Sequence, residues 1–155
     1  MSEDKQINVA LDDIMPIIAE QLQAGGNVTF GPKGVSMLPL IRQNIDSVVI
    51  SPYCGKLKKY DVPLYKRENG QYVLHRVIGF KNGAYVMRGD NQYQKEYGIT
   101  DKQIIGVMSA VVKPEKKISV NDSDYVRYAR KRVFSQSLHA FASKIKSRLK
   151  RILRR

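Results

Sequence analysis

Apolar residues near the start of the chain recur at Val9, Leu11, Ile14, Ile17, Ile18 and Leu22. The spacing is close to helical and predicts a short helix over residues 8–23. Asp12 and Asp13 fall in its first turns, where the helix dipole favours negative charge. Pro16 lacks an N–H and fits poorly inside a helix, which allows an alternative start near residue 13. Gly25 and Gly26 end the element. From Asn27 to Val112 the pattern changes to short runs of β-branched and aromatic residues separated by Gly, Asn and Pro. These runs predict strands over 27–31, 46–51, 61–67, 71–79, 83–88 and 104–112. Asn69-Gly70 and Asn82-Gly83 each separate two runs, as in tight antiparallel hairpins. Beyond a polar connector, Asp122-Ser123-Asp124 offers an N-cap for a long helix. On that helix Phe134, Leu138, Phe141, Ile145, Leu149 and Ile152 form one apolar stripe at three-four spacing.

The expected fold is therefore mainly β within an α+β class. It is a small bent antiparallel sheet or partly closed barrel, with a short N-terminal helix and a long basic amphipathic C-terminal helix. The expected organisation is a body over 1–112, a connector over 113–124 and the basic helix over 125–155. At 155 residues the chain can bury a core without staples.

Charge sharpens this division. The formal net charge is +13, yet residues 1–124 hold 16 Lys+Arg against all 14 Asp+Glu. The remaining 11 Lys+Arg lie from Tyr125 onward, with no acid among them. A near-neutral body makes nucleic acid an unexpected partner. A cationic amphipathic helix suits an anionic membrane surface, and on this reading the tail is an attachment separable from the body. The opening residues, MSEDKQINVALDD, do not read as a secretory signal, and the longest apolar runs are too short to span a bilayer. The expected location is cytoplasmic, with peripheral attachment to the inner face of the membrane. One cysteine, Cys54, and two histidines, His75 and His139, argue against a disulfide and against a Cys- or His-rich metal site. No cofactor is expected.

Three segments can carry chemistry. In Gly34-Val35-Ser36-Met37-Leu38-Pro39 a serine sits at a strand-to-turn junction, where it can present its hydroxyl and N–H to a bound carbonyl. Taken alone it reads equally as a turn serine capping backbone groups. In Tyr72-Val73-Leu74-His75-Arg76-Val77-Ile78-Gly79, alternation places His75 on one face with Val73 and Val77, opposite Leu74 and Arg76. Such a histidine is either a satisfied core residue or a proton acceptor. Arg88-Gly89-Asp90-Asn91, followed by Glu96, brings carboxylates that could orient an imidazole.

In this order and spacing the segments resemble the signal peptidase family, serine endopeptidases of the clan shared with self-cleaving repressors. GVSMLP resembles the nucleophile motif, with Gly34, Val35, Met37 and Pro39 in the substrate-binding part. Residues 45–50 and 59–65 resemble the strands that follow, LHRVIG the general-base segment, and RGDN the last motif. The likeness covers about residues 24–112. It implies a Ser36 nucleophile and a His75 general base, as in the archaeal and endoplasmic-reticulum type rather than the lysine type. In that type an aspartate after Gly-Asp-Asn completes the site. Here Glu96 holds the matching position, so Asp90 and Glu96 both remain candidates to orient His75. The implied substrate is a precursor protein or peptide whose leader, signal or propeptide is removed. The implied alternative is a degenerate member that only binds peptide or membrane. A repressor-type autoprotease would need a DNA-binding domain, for which the roughly 26 residues before the fold are too few.

Overall fold

The computed structural model describes residues 11–152. Helix α1 runs Leu11–Gln23 with Pro16 inside it. The expected start at residue 8, including Val9, lies outside the described residues. Among the described residues nine strands follow: β1 Val28–Phe30, β2 Ser47–Pro52, β3 Pro63–Lys66, β4 Tyr72–Leu74, β5 Arg76–Lys81, β6 Ala84–Arg88, β7 Glu96–Ile99, β8 Ile104–Val112 and β9 Lys117–Ser119. A second helix, α2, spans Ser123–Ile152. The fold is mixed α+β and rich in β structure, as the patterning predicts.

The strands form two antiparallel sheets, one of them curled into a half-barrel. The larger has the order β1-β2-β8-β3-β4, with β9 also pairing β8. The smaller is β5-β6-β7. Strand β8 is the long central element, and its register shifts against both β2 and β3 let it bend. The Asn82-Gly83 turn between β5 and β6 takes positive φ at both residues, 51° and 75°, as a type I′ hairpin needs. The β3–β4 loop differs. There Gly70 alone is left-handed, and a Gly70 N–H to Arg67 C=O bond closes a longer turn.

Two departures from the sequence reading matter for the site. The single expected strand 71–79 is two strands in different sheets, broken at His75. Strands β7 and β9 arise from segments read as loop and connector. The cause is length, since each has only three or four residues, too few for alternation to show, and each is ordered by pairing with the strand before it, β7 with β6 and β9 with β8.

The main core packs Met15, Ile18 and Leu22 of α1 against Val48, Ile50, Leu64, Met108 and Val111, and closes with Tyr125 and Ala129 of α2. A second cluster lies around Tyr65, Val77, Tyr85, Met87 and Ile99. The first half of α2 is thus part of the body, with Tyr125, Ala129, Val133 and Gln136 buried. This corrects the expectation of a separable tail beginning at residue 125. Only the distal part of the helix stands away from the core.

Candidate active site

Ser36 lies in the connection between β1 and β2. Two sets of contacts hold that connection. Asp46, fully buried, receives Arg42 Nε and Nη2 at 2.9 and 2.8 Å, the Arg42 N–H at 2.8 Å and Lys113 Nζ at 3.0 Å. These bonds, first those from Arg42, hold its carboxyl well below the usual carboxylate range. Lys113 also donates to Leu40 C=O, tying the loop to the end of β8. On the other side, the Asn91 N–H donates to Ser36 C=O at 2.7 Å, and Asn91 Nδ2 donates to Val35 C=O. Gly89 fits closely here, for a Cβ on it would stand 2.7 Å from Ser36 O and 3.1 Å from Ser36 Cβ. The Gly-Asp-Asn segment is therefore the wall against which the serine loop is set.

Ser36 and His75 line one cavity of about 460 Å³, together with Gly34, Met37, Phe30, Leu64, Tyr72 and Leu74 among others. No hydrogen bond joins Ser36 to His75 among the described residues. His75 is buried, and Tyr65 Oη lies 3.4 Å from its Nδ1. Glu96 Oε2 lies 3.8 Å from the same nitrogen. The Tyr65 hydroxyl donates to Glu96 Oε2 at 2.8 Å, so its lone pair is what meets Nδ1. The network thus assigns the proton to Nδ1 and leaves Nε2 free to accept one. Arg67 grips Glu96 with two bonds, Nε to Oε1 at 2.8 Å and Nη2 to Oε2 at 2.7 Å.

The electrostatics follow from this packing. Burial, then the Arg67 cation, push His75 down to about 4 against the opposing pull of Glu96 and Asp90. The imidazole is neutral at pH 7. Burial alone would raise the Glu96 carboxyl, but hydrogen bonds from Arg67 and Tyr65 outweigh it and hold the group below its ordinary range. Burial and the neighbouring Glu96 charge raise Tyr65, which stays a phenol.

The two candidate carboxylates separate cleanly. Glu96 stands beside His75. Asp90 pairs with Arg76 instead, accepting Nε at 2.7 Å and Nη2 at 2.8 Å, and takes the Tyr128 hydroxyl at 2.9 Å. Its carbonyl receives Arg132 Nε and Gln136 Nε2 from α2. Among the remaining expected residues, Gly34 and Met37 line the Ser36 cavity. The Val35 side chain is exposed, and Pro39 lines a different depression toward α2. The cis peptide in this segment is Leu38–Pro39. Tyr65, Arg67 and Gln92 were not singled out by the sequence. Gln92 and His75 also border a second cavity that Arg67 and Glu96 line. Among the described residues no group of three or more His, Cys, Asp or Glu could hold a metal ion.

Comparison of the chain with family models, curated proteins and solved structures returns no match.

Proposed function

We propose that the chain is a serine endopeptidase of signal-peptidase type, removing a leader, signal or propeptide through an acyl-enzyme. One observation carries the reading: Ser36 shares a cavity with a neutral histidine whose Nδ1 faces Tyr65 and Glu96. Ser36 Oγ attacks the scissile carbonyl while His75 Nε2 takes its proton. The imidazolium that forms is stabilised by Glu96, directly and through Tyr65. Backbone N–H groups around Ser36 meet the oxyanion. His75 returns the proton to the leaving amine, and the C–N bond breaks. Water, activated by the same nitrogen, then opens the ester and regenerates the serine. The apolar lining from Phe30, Met37 and Leu74 suits an extended peptide.

The missing Ser36–His75 hydrogen bond favours a second reading, a peptide-binding module without turnover. Incubation with a peptide library, read by mass spectrometry, separates the two. Cleavage that falls by several orders of magnitude in both Ser36→Ala and His75→Ala supports the peptidase. Binding without cleavage, or cleavage that persists in Ser36→Ala, overturns it. The acid limb of kcat/KM should fall only below about pH 5, because His75 is held near 4.

A further inference from the structure

We propose that the outer face of the distal part of α2 docks on an anionic lipid bilayer. This goes beyond the peptidase reading and does not depend on it. The six stripe residues Phe134, Leu138, Phe141, Ile145, Leu149 and Ile152 are between 44% and 68% exposed. They run along 18 residues, or about 27 Å of helix. The buried residues Tyr125, Ala129, Val133 and Gln136 fix which side of α2 meets the body. At about 100° per residue, the stripe is centred roughly opposite that side. The body therefore cannot cover the stripe, because the helix is already docked by its other face.

Charge selects the occupant. Lys144, Arg148 and Arg151 flank the stripe on one side, Lys146 and Lys150 on the other. No Asp or Glu occurs from Tyr125 onward. A second copy of the helix laid on the stripe would bring these cations together with no acid to pair them. Nucleic acid would satisfy the cations but leave six large apolar side chains in water. A helix lying in the headgroup region serves both, with the apolar side chains below the phosphates and the Lys and Arg stems reaching up to them. None of the described helices is long and apolar enough to cross the membrane, so the helix lies on the surface rather than through it.

The test is co-sedimentation of the full chain with vesicles of equal parts phosphatidylcholine and phosphatidylglycerol, against pure phosphatidylcholine. Binding is expected to the anionic vesicles alone, weakening as salt rises. Phe141→Ser with Ile145→Ser should lower partitioning at least about tenfold. Lys144→Gln with Arg148→Gln should lower it about fivefold per charge. All four side chains lie outside the core, so unchanged thermal unfolding verifies that each variant is folded. A full-length chain that stays in the supernatant at low salt overturns the proposal. So does a Phe141/Ile145 variant that binds as well as the parent, which would mean adhesion by charge alone. Self-association lost in that variant, with no vesicle uptake by the parent, would assign the stripe to a pair of chains instead.

Discussion

Two constellations in this protein use the same chemistry. In each, an arginine grips a carboxylate through Nε and Nη2, and a tyrosine hydroxyl donates to the same carboxylate. Arg76, Asp90 and Tyr128 form one; Arg67, Glu96 and Tyr65 form the other. They differ in burial. The Arg76 and Asp90 side chains are 0% and 1% exposed, those of Arg67 and Glu96 32% and 23%. They also differ in what lies beside them. The first is roofed by α2, with Tyr125 and Tyr128 over the guanidinium. The second borders a cavity and stands behind His75. Two such charges sealed from water serve the fold, since neither can leave without stranding the other. Charges in a half-open wall can be reorganised around a titrating neighbour at small cost to the fold.

The largest expected effect separates them by stability. Arg76→Ala strands a buried carboxylate and should cost about 3–5 kcal/mol in urea unfolding. Although burial disfavours its charge, the Asp90 carboxylate keeps the guanidinium firmly protonated, so no pH in the working range relieves the loss. If Arg76→Ala and Arg67→Ala proved equally destabilising, the distinction between the two constellations would collapse.

The next effect is in pH. The folded state holds His75 near 4, below the 6.5 of an unfolded histidine. Between these values the unfolded chain binds more protons, so stability falls as the pH drops. The contribution is complete above about pH 6.5 and lost progressively toward pH 4, amounting to about 3 kcal/mol. Urea midpoints measured from pH 7 to 4 should show this loss relative to His75→Gln. A histidine that is solvated in solution would give parallel curves for the two proteins.

The smallest stability effect belongs to the half-open pair. Arg67→Ala should cost less than about 1 kcal/mol. Glu96→Gln should likewise leave the unfolding midpoint nearly unchanged while lowering kcat about 100-fold on a cleaved peptide, with KM little moved. Rescue by Glu96→Asp, even partial, would mark a charge requirement. A Glu96→Gln protein with parental kcat would reduce the site to a Ser36–His75 pair.

Much of this was legible in the sequence, in places where local chemistry decides. Asn82-Gly83 specified its turn because both residues accept positive φ. The stripe on α2 followed from spacing alone. Ser36 and His75 stood out by motif, with Asp90 and Glu96 left as alternatives beside them, and the structure puts Ser36 and His75 on one cavity with Glu96 next to the imidazole. The role of Asp90 was not legible, because it depends on Arg76, fourteen residues earlier, and on Tyr128, thirty-eight later. Alternation assigned Arg76 to the face opposite His75, yet Leu74, His75, Arg76 and Val77 are all buried. The far face is covered by a helix that local pattern could not dock. Tyr65 and Arg67 read as ordinary residues of the expected strand 61–67, and only the fold brings them to Glu96.

The break in the chain at His75 has one more consequence. Strand β4 ends at Leu74 in the larger sheet, and β5 begins at Arg76 in the smaller one. Ser36 is carried between β1 and β2 of the larger sheet, while Glu96 opens β7 of the smaller. Neither sheet alone holds both Ser36 and Glu96; His75 is the stitch between them. A chain with only one sheet assembled, as during synthesis or partial unfolding, leaves Ser36, His75 and Glu96 apart. On the proposed mechanism, chemistry would begin only once the two sheets are both in place.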